Sequence, residues 1–480
     1  MSKIKVNFIY LSLYKILEIF LPMITSPILS RRLGAESLGR YSYVYSIVSI
    51  FATFAQLGIY NYGMREIAKV RDDKKKLNQT YSDIFFIHII VSLVVIVIYC
   101  GIAFSIKNEN KIIFIIQIGV LVSNMIDNAF LFIGLERVKE LSIRDTIIKI
   151  MTFILIVLLI KKPSDIIIYT LIMVFSAMIC RAVALLYGLK FAKFVKPSKM
   201  CVSKHLKPMT ILMLPTLAST IYQSMDKVMI GWLYDEENVG YYECASKSLI
   251  PKNFITTIGT VMCPHIANLY QQNKIEEIKE KVEKSLTISL IFSYLCTFGI
   301  IAIAKDFAPW FWGEQFSNCS NMMIGLAISI PVWTIGEVIR NQLLLPIDKD
   351  NEYMISFVAG VIVNAIANII LIPKYAVMGA IVATLISEVV MSGMQLYYAK
   401  RKIKYLKVIK TTVPYLIISL MMMLGVREIR IILLSEKLGK TILLEVLLGA
   451  LIYIILVVGY EKISKNENIL KIIENIGGKR

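Results

Sequence analysis

The chain has 480 residues, 57% of them apolar and 18% charged, while soluble domains carry roughly 45–50% apolar residues under polar surfaces. A string of ordinary soluble domains is therefore excluded. The formal charge of +19 lies mainly in short segments between apolar runs, with no aromatic-basic stripe or nucleic-acid motif, which excludes nucleic acid as the partner.

The apolar runs are continuous, and most approach the roughly 20 residues that a membrane helix needs. Lipid offers no partner to free backbone groups, so only helices or closed barrels cross it. Runs this long, without alternation over about ten residues, exclude the barrel. Fourteen helical spans are expected, at 8–29, 41–63, 82–105, 112–134, 144–160, 166–188, 209–233, 240–264, 285–304, 321–345, 353–373, 378–398, 411–429 and 442–460. The fifth is short, and Arg427 and Arg430 cut off the thirteenth. The first begins near Phe8 with no small-residue cleavage site, so it reads as a retained helix rather than a signal peptide.

An even number of spans puts both ends on one side. With the N-terminus inside, Arg65, Lys69, Arg71 and Lys74 to Lys76 are cytoplasmic. So are Lys190, Lys193, Lys196, Lys199, Lys204, Lys207 and the basic run from Lys400 to Lys410. More than twice as many basic residues then fall inside as outside, in accord with the positive-inside rule. The segment 271–284 carries Ile275, Ile278 and Val282 at helical spacing among Glu and Lys, as an amphipathic or a solvated charged helix does. Ile469, Ile472, Ile473 and Ile476 repeat that pattern in the tail. The seven cysteines are scattered without a CxxC pair, and His88, His205 and His265 are far apart, so neither a disulfide framework nor a metal site is expected. Gly439-Lys440-Thr441 imitates the end of a phosphate loop, but Leu434 stands at its first glycine position.

An internal repeat is visible. Leu33-Gly34-Ala35-Glu36-Ser37-Leu38-Gly39 after the first span matches Leu233 to Gly240 after the seventh, and Arg65 to Lys69 matches Pro264 to Asn268 at nearly the same separation. Six spans separate the copies, so the halves share one orientation, a parallel repeat of the kind transporters use to place a cavity between two bundles. The expected fold is an all-α polytopic membrane protein with two six-helix bundles, residues 1–207 with the cytoplasmic linker and residues 208–400, followed by two further helices and a tail over 401–480.

Charges inside spans cost a few kcal/mol each on insertion scales, so they are the sharpest functional signal. Lys15 and Glu18 lie one turn apart, Asp226 and Lys227 are adjacent, and Arg181, Lys247, Lys252 and Arg340 sit in or near other spans with the acids Asp127, Glu337, Glu388 and Glu445. Internal pairing or snorkelling is the alternative for all of them, and it is the expected role of Arg181 and Glu445. Lys15, Asp226, Lys227 and Arg340 are expected to line the cavity. Asn124, Asn128, Asn364 and Asn368 are amides suited to sugar hydroxyls or to bonds between helices.

Several stretches resemble one family. Leu21-Pro22, Arg31-Arg32-Leu33-Gly34 and Leu38-Gly39-Arg40-Tyr41 resemble the opening of bacterial polysaccharide flippases, and Tyr62-Gly63-Met64-Arg65-Glu66-Ile67-Ala68-Lys69 resembles that family's signature after the second span. Gly134-Leu135-Glu136, Met225-Asp226-Lys227, Val239-Gly240-Tyr241-Tyr242, Arg340-Asn341-Gln342 with Pro346, Ile372-Pro373-Lys374 and Gly379-Ala380 extend the likeness to about residue 390. The resemblance is to the O-antigen and capsule repeat-unit flippases, within the group that includes multidrug antiporters and lipid II flippases.

The resemblance implies a non-enzymatic flippase in the bacterial cytoplasmic membrane, with both termini cytoplasmic. Its cargo would be a polyprenyl-diphosphate-linked oligosaccharide, and its other partners membrane lipids and polysaccharide assembly proteins. Lys15, Arg65, Lys227, Lys247, Lys252 and Arg340 would be the cavity cations that meet the diphosphate. No cofactor is expected, while Glu18, Asp127 and Asp226 would serve proton or sodium coupling or charge pairing. The rival readings are a drug antiporter, which favours intramembrane acids over cations, and a membrane polymerase or ligase, which needs a long external loop. Every external connection expected here is short.

Overall fold

The computed structural model describes residues 3–400, 402–432 and 438–464, with side chains described from Tyr14 onward except at Lys15, Ile16, Ile19 and Ile432. The isoleucines of the C-terminal tail lie outside the described residues. Helices account for nearly all of the described chain, and no strand occurs among them. The protein packs as two compact units, Met1–Gly240 and Tyr241–Arg480.

In the first unit, α1 (Lys3–Gln56) holds the first two apolar stretches in one run, sharply bent at Gly34, whose φ of 75° suits glycine. Leu57 and Gly58, both at positive φ, end it and turn the chain into α2 (Ile59–Val70). The second span therefore stops at Gln56 instead of residue 63. α2 buries Ile59, Tyr62, Gly63 and Ile67 and leaves Arg65 and Lys69 exposed. Asp73 starts α3 (Lys74–Ser105) by accepting from the backbone N–H groups of Lys75 at 3.0 Å and Lys76 at 3.1 Å. Those bonds hold its carboxyl below the usual carboxylate range.

The fourth stretch is split. α4 (Lys111–Met125) and α5 (Ala129–Gly134) meet at Ile126–Asn128, where Asp127 accepts from the N–H of Ala129 at 2.9 Å. α6 (Val138–Leu159) ends where Arg32 donates to the carbonyls of Val157 at 2.6 Å and Ile160 at 2.7 Å, satisfying acceptors that a helix end leaves open. α7 (Ile166–Gly188) leads into the basic segment expected to be a linker. Residues 189–200 are not slack. They run along the start of α3, where Asn78 accepts from Lys193 N at 2.9 Å, Ser82 from Val195 N at 2.9 Å, and Asp83 from Ser198 N at 2.7 Å and Ser198 Oγ at 2.8 Å. α8 (Cys201–Leu233) then packs against α1, with Ser49 and Ser224 hydroxyls 3.0 Å apart and Thr53 donating to Thr220 at 3.1 Å. The aromatic core of this unit includes Tyr81, Phe85, Phe130 and Phe132.

α9 (Glu236–Ser246) spans the division between the units; a 3₁₀ turn at Lys247–Leu249 separates it from α10 (Lys252–Gln271), so the eighth stretch is also interrupted. α11 (Ile275–Trp312) joins the amphipathic segment and the ninth stretch in one helix, burying Ile278 and Val282 and leaving Ile275 exposed. α12 (Cys319–Ile339) passes into a π-helical turn at Arg340–Leu344 and a 3₁₀ turn at Leu345–Ile347. α13 (Asp350–Ala399) holds the eleventh and twelfth stretches, broken at Ala376 with a φ of 49°. α14 (Tyr405–Ile432) and α15 (Leu438–Ser464) complete the unit and pack on α11 around Ile291, Tyr415, Met422 and Tyr453.

Among the described residues nine helices are long and apolar enough to cross a membrane. Two of these stretches, Phe20–Val70, which continues across the Leu57–Gly58 turn, and Asp350–Ala399, have 51 and 50 residues, room for two crossings each. α6, α8 and α10 fall outside that group; α8, for example, carries Lys204, Lys207, Asp226 and Lys227.

Candidate functional site

The intramembrane charges sort into small polar groups within each unit. In the first unit, Arg181 on α7 donates from Nε to Asp127 at 3.1 Å and from Nη1 to Ser123 at 3.1 Å. Asp127 thus holds a cation and the start of α5 at once. One turn away, His88 on α3 lies 2.8 Å from the Asn124 carbonyl, and Asn128 donates to Ala184 O at 3.2 Å. The break between α4 and α5 is a polar node: an irregular backbone survives at membrane depth only where protein groups satisfy it.

Glu18 accepts from Lys149 on α6 at 3.0 Å, and Lys149 lies 4.5 Å over the Tyr14 ring. The side chain of Lys15 lies outside the described residues, so the Lys15–Glu18 pair is not observed, and Lys149 supplies a partner that sequence reading missed. Asp226 is buried on α8 and Lys227 half-buried beside it. Arg65 lies on the exposed face of α2.

In the second unit, Arg340 pairs with Glu337 one turn earlier, and Asn341 donates to the same carboxylate at 2.6 Å. Glu337 is 3% exposed, and a guanidinium and an amide surround its carboxylate in that dry place. The Arg340 guanidinium also lies 5.8 Å from the Tyr353 ring centre. Around the π-helical turn sit Gln342 and Gln395, fully buried, with the Gln395 carbonyl and Ser392 crowding Gly336. A search for charges passes over these glutamines. Their signal in sequence is an amide inside an apolar run, the same signal that singles out Asn364 and Asn368, where Asn368 donates to Asn364 at 3.1 Å.

Lys252 at the start of α10 lies 4.9 Å over the Trp333 ring, with Glu388 of α13 in its electrostatic surroundings. Lys247 pairs with Glu243 at 3.6 Å. The structure thus gives Lys247, Lys252 and Arg340 acidic or aromatic neighbours within one unit. An apolar groove also opens between α14 and α15, lined by Pro414, Ile417, Ile418, Ile455, Leu456 and Tyr460.

At the N-terminal end of α8, outside the expected span, His205 is fully buried and its Nδ1 lies 2.7 Å from the Tyr62 hydroxyl. Burial, helped by Lys204, holds its pKa below the ordinary histidine value. Among the described residues no three His, Cys, Asp or Glu side chains are grouped to hold a metal.

Residues 4–270 match the sequence profile of the family described as polysaccharide biosynthesis protein. The chain is 22% identical over 408 residues to the "Putative O-antigen transporter" of Escherichia coli (strain K12), covering 82% of this chain and 96% of that protein. It is 21% identical over 402 residues to the capsular polysaccharide biosynthesis protein CapF of Staphylococcus aureus, covering 82% and 99%. The solved structure of the lipid II flippase MurJ in an inward closed conformation matches with a TM-score of 0.76 at 15% identity, over 95% of this chain and 99% of that one. At that identity the likeness establishes a shared all-helical fold. This chain is a multi-pass membrane protein and belongs to the polysaccharide biosynthesis protein family.

Proposed function

We propose that the protein is a non-catalytic flippase that carries a polyprenyl-diphosphate-linked oligosaccharide repeat unit from the cytoplasmic to the outer face of the bacterial cytoplasmic membrane by alternating access. The observation that carries this reading is the family match over residues 4–270 on a chain that shares the MurJ fold along 95% of its length. The O-antigen and capsule relatives support the saccharide cargo.

The chemistry is consistent with that cargo. A diphosphate leaving water needs charge-assisted hydrogen bonds, and Arg offers a bidentate fork to phosphate oxygens. Lys227 in the first unit, Lys252 and Arg340 in the second, and Lys15, Arg65 and Lys247 are the cations assigned to it. Buried amides suit sugar hydroxyls, and the apolar groove of α14 and α15 suits a polyprenyl chain. The repeat would define the working bundles as 1–207 and 208–400, with 401–480 appended and both termini cytoplasmic.

The test is loss of the gene. Single lipid-linked repeat units should accumulate on the cytoplasmic face and surface polysaccharide should disappear, both reversed by the intact chain. Normal delivery of repeat units with only polymer length altered would identify a polymerase. Normal polysaccharide with raised drug sensitivity would identify an antiporter.

A further inference from the structure

We propose that Asp306, Arg430 and Glu445 form a proton-binding site in the second unit, in which Glu445 takes the proton. Arg430 on α14 presents Nε and Nη2 as a fork to Asp306 on α11, at 2.8 and 3.0 Å. Glu445 on α15 approaches that same Nε at 3.7 Å, too far for a hydrogen bond. Its carboxylate is 2% exposed, and neither oxygen accepts a hydrogen bond among the described residues.

One cation therefore faces two acids, and its fork is committed to one of them. The other charged residues of these stretches, Lys305 on α11, Arg427 and Glu428 on α14 and Lys440 on α15, are exposed. An ionised carboxylate without a donor is costly at such a depth, and uptake of a proton removes the cost. The proton adds to a Glu445 oxygen from water, no other bond changes, and Arg430 stays with Asp306. On release, Glu445 regains its charge and draws on the same guanidinium. α11 ends in Phe307, Trp310, Phe311 and Trp312, an aromatic cluster of the kind that marks a membrane boundary, and Gly439, six residues before Glu445, packs on Trp310. Resting on the flippase reading, this site is where a proton gradient acts on α14 and α15.

Infrared difference spectra of the full chain in lipid vesicles, between about pH 5 and about pH 8, read protonated carboxyls directly. The expected result is a band from about one group per chain that titrates in this window, vanishes in Glu445→Gln and shifts in Glu445→Asp. Asp306→Asn frees Arg430 for Glu445 and should weaken proton binding about tenfold or more. A Glu445→Gln spectrum identical to that of the wild type overturns the site. Should Glu445→Gln fail to reach the membrane, an unshifted band in Glu445→Asp overturns it equally. No substrate is involved, so these spectra stand apart from the flippase reading. Full restoration of surface polysaccharide by Glu445→Gln in a deletion strain would overturn the coupling role alone.

Discussion

Gly39 lies against the backbone of Glu236, and Gly240 lies against the backbone of Ala35. The contact is reciprocal, because Ala35 and Glu236 each stand four residues before Gly39 and Gly240 in turn. A side chain at Gly39 would collide with the Glu236 carbonyl oxygen, and one at Gly240 with that of Ala35. Gly39→Ala and Gly240→Ala should each destabilise the purified protein by about 1–3 kcal/mol. Gly101 on α3 has open space where its Cβ would go, so Gly101→Ala should be neutral or stabilise by up to about 1 kcal/mol. Melting curves in detergent check this contrast, and equal melting of all three variants would refute the close crossing.

Substitution of the cations proposed to meet the cargo should separate binding from folding. Lys227→Gln should lower transport about tenfold to a hundredfold at unchanged protein amount, and Lys227→Arg should retain more. Arg340→Gln differs because it removes the cation beside the buried Glu337 and leaves it only the Asn341 amide, at a cost of about 3–5 kcal/mol. Its abundance should fall, and Glu337→Gln combined with Arg340→Gln should recover abundance but not transport. Surface polysaccharide and immunoblots of the same cells report both quantities. Full complementation by Lys227→Gln at native expression would remove Lys227 from the binding role.

Asp83 fastens the segment 189–200 to α3 through both bonds to Ser198. Asp83→Ala should loosen it and raise the rate of tryptic cleavage at Lys190, Lys193, Lys196 and Lys199 severalfold. Unchanged cleavage kinetics would mean that the other bonds hold the segment alone.

His205 gives a pH dependence with a definite sign. Its folded pKa lies below the unfolded value of 6.5, so the unfolded chain binds the proton more readily. Stability is fully present above the unfolded pKa and is lost as pH falls through the folded one. Melting temperature should drop on acidification below about pH 6.5, and His205→Gln should flatten that slope while lowering stability at neutral pH through loss of the Tyr62 bond.

The proposed orientation is open to labelling. Cysteines at Lys76, Lys199 and Lys404 should resist an impermeant thiol reagent in intact cells, while one at Asn108 should react. These four positions are exposed, whereas the neighbouring Asn110 is buried and donates to Glu236 at 2.8 Å. The reverse pattern would invert the direction of transport.

The helices were legible because an apolar stretch of membrane length has no other stable form. The interruptions were less so. Leu57 with Gly58, the Ile126–Asn128 break and the turn at Ser246 to Pro251 sit inside apolar stretches, where hydropathy reports depth and not backbone direction. The charges were legible as singular residues, but the partners they find on other helices were not. Glu18 reaches Lys149, Asp127 reaches Arg181, and Asp306 reaches Arg430, each across a helix pair that no local spacing encodes. Local spacing offered Lys15 to Glu18, and only the packing of α6 on α1 offered Lys149.

A free peptide of about a dozen residues can stretch to roughly 40 Å and would let the helices it joins move apart without resistance. The segment 189–200 has no such slack, since side chains of Asn78, Ser82 and Asp83 hold its backbone along about one and a half turns of α3. The end of α7 and the start of α8 are therefore coupled to α3 as if by a short strut. A displacement of α8 at that end must pull α3 with it or break those bonds one after another, so the strut transmits motion where an ordinary loop would absorb it.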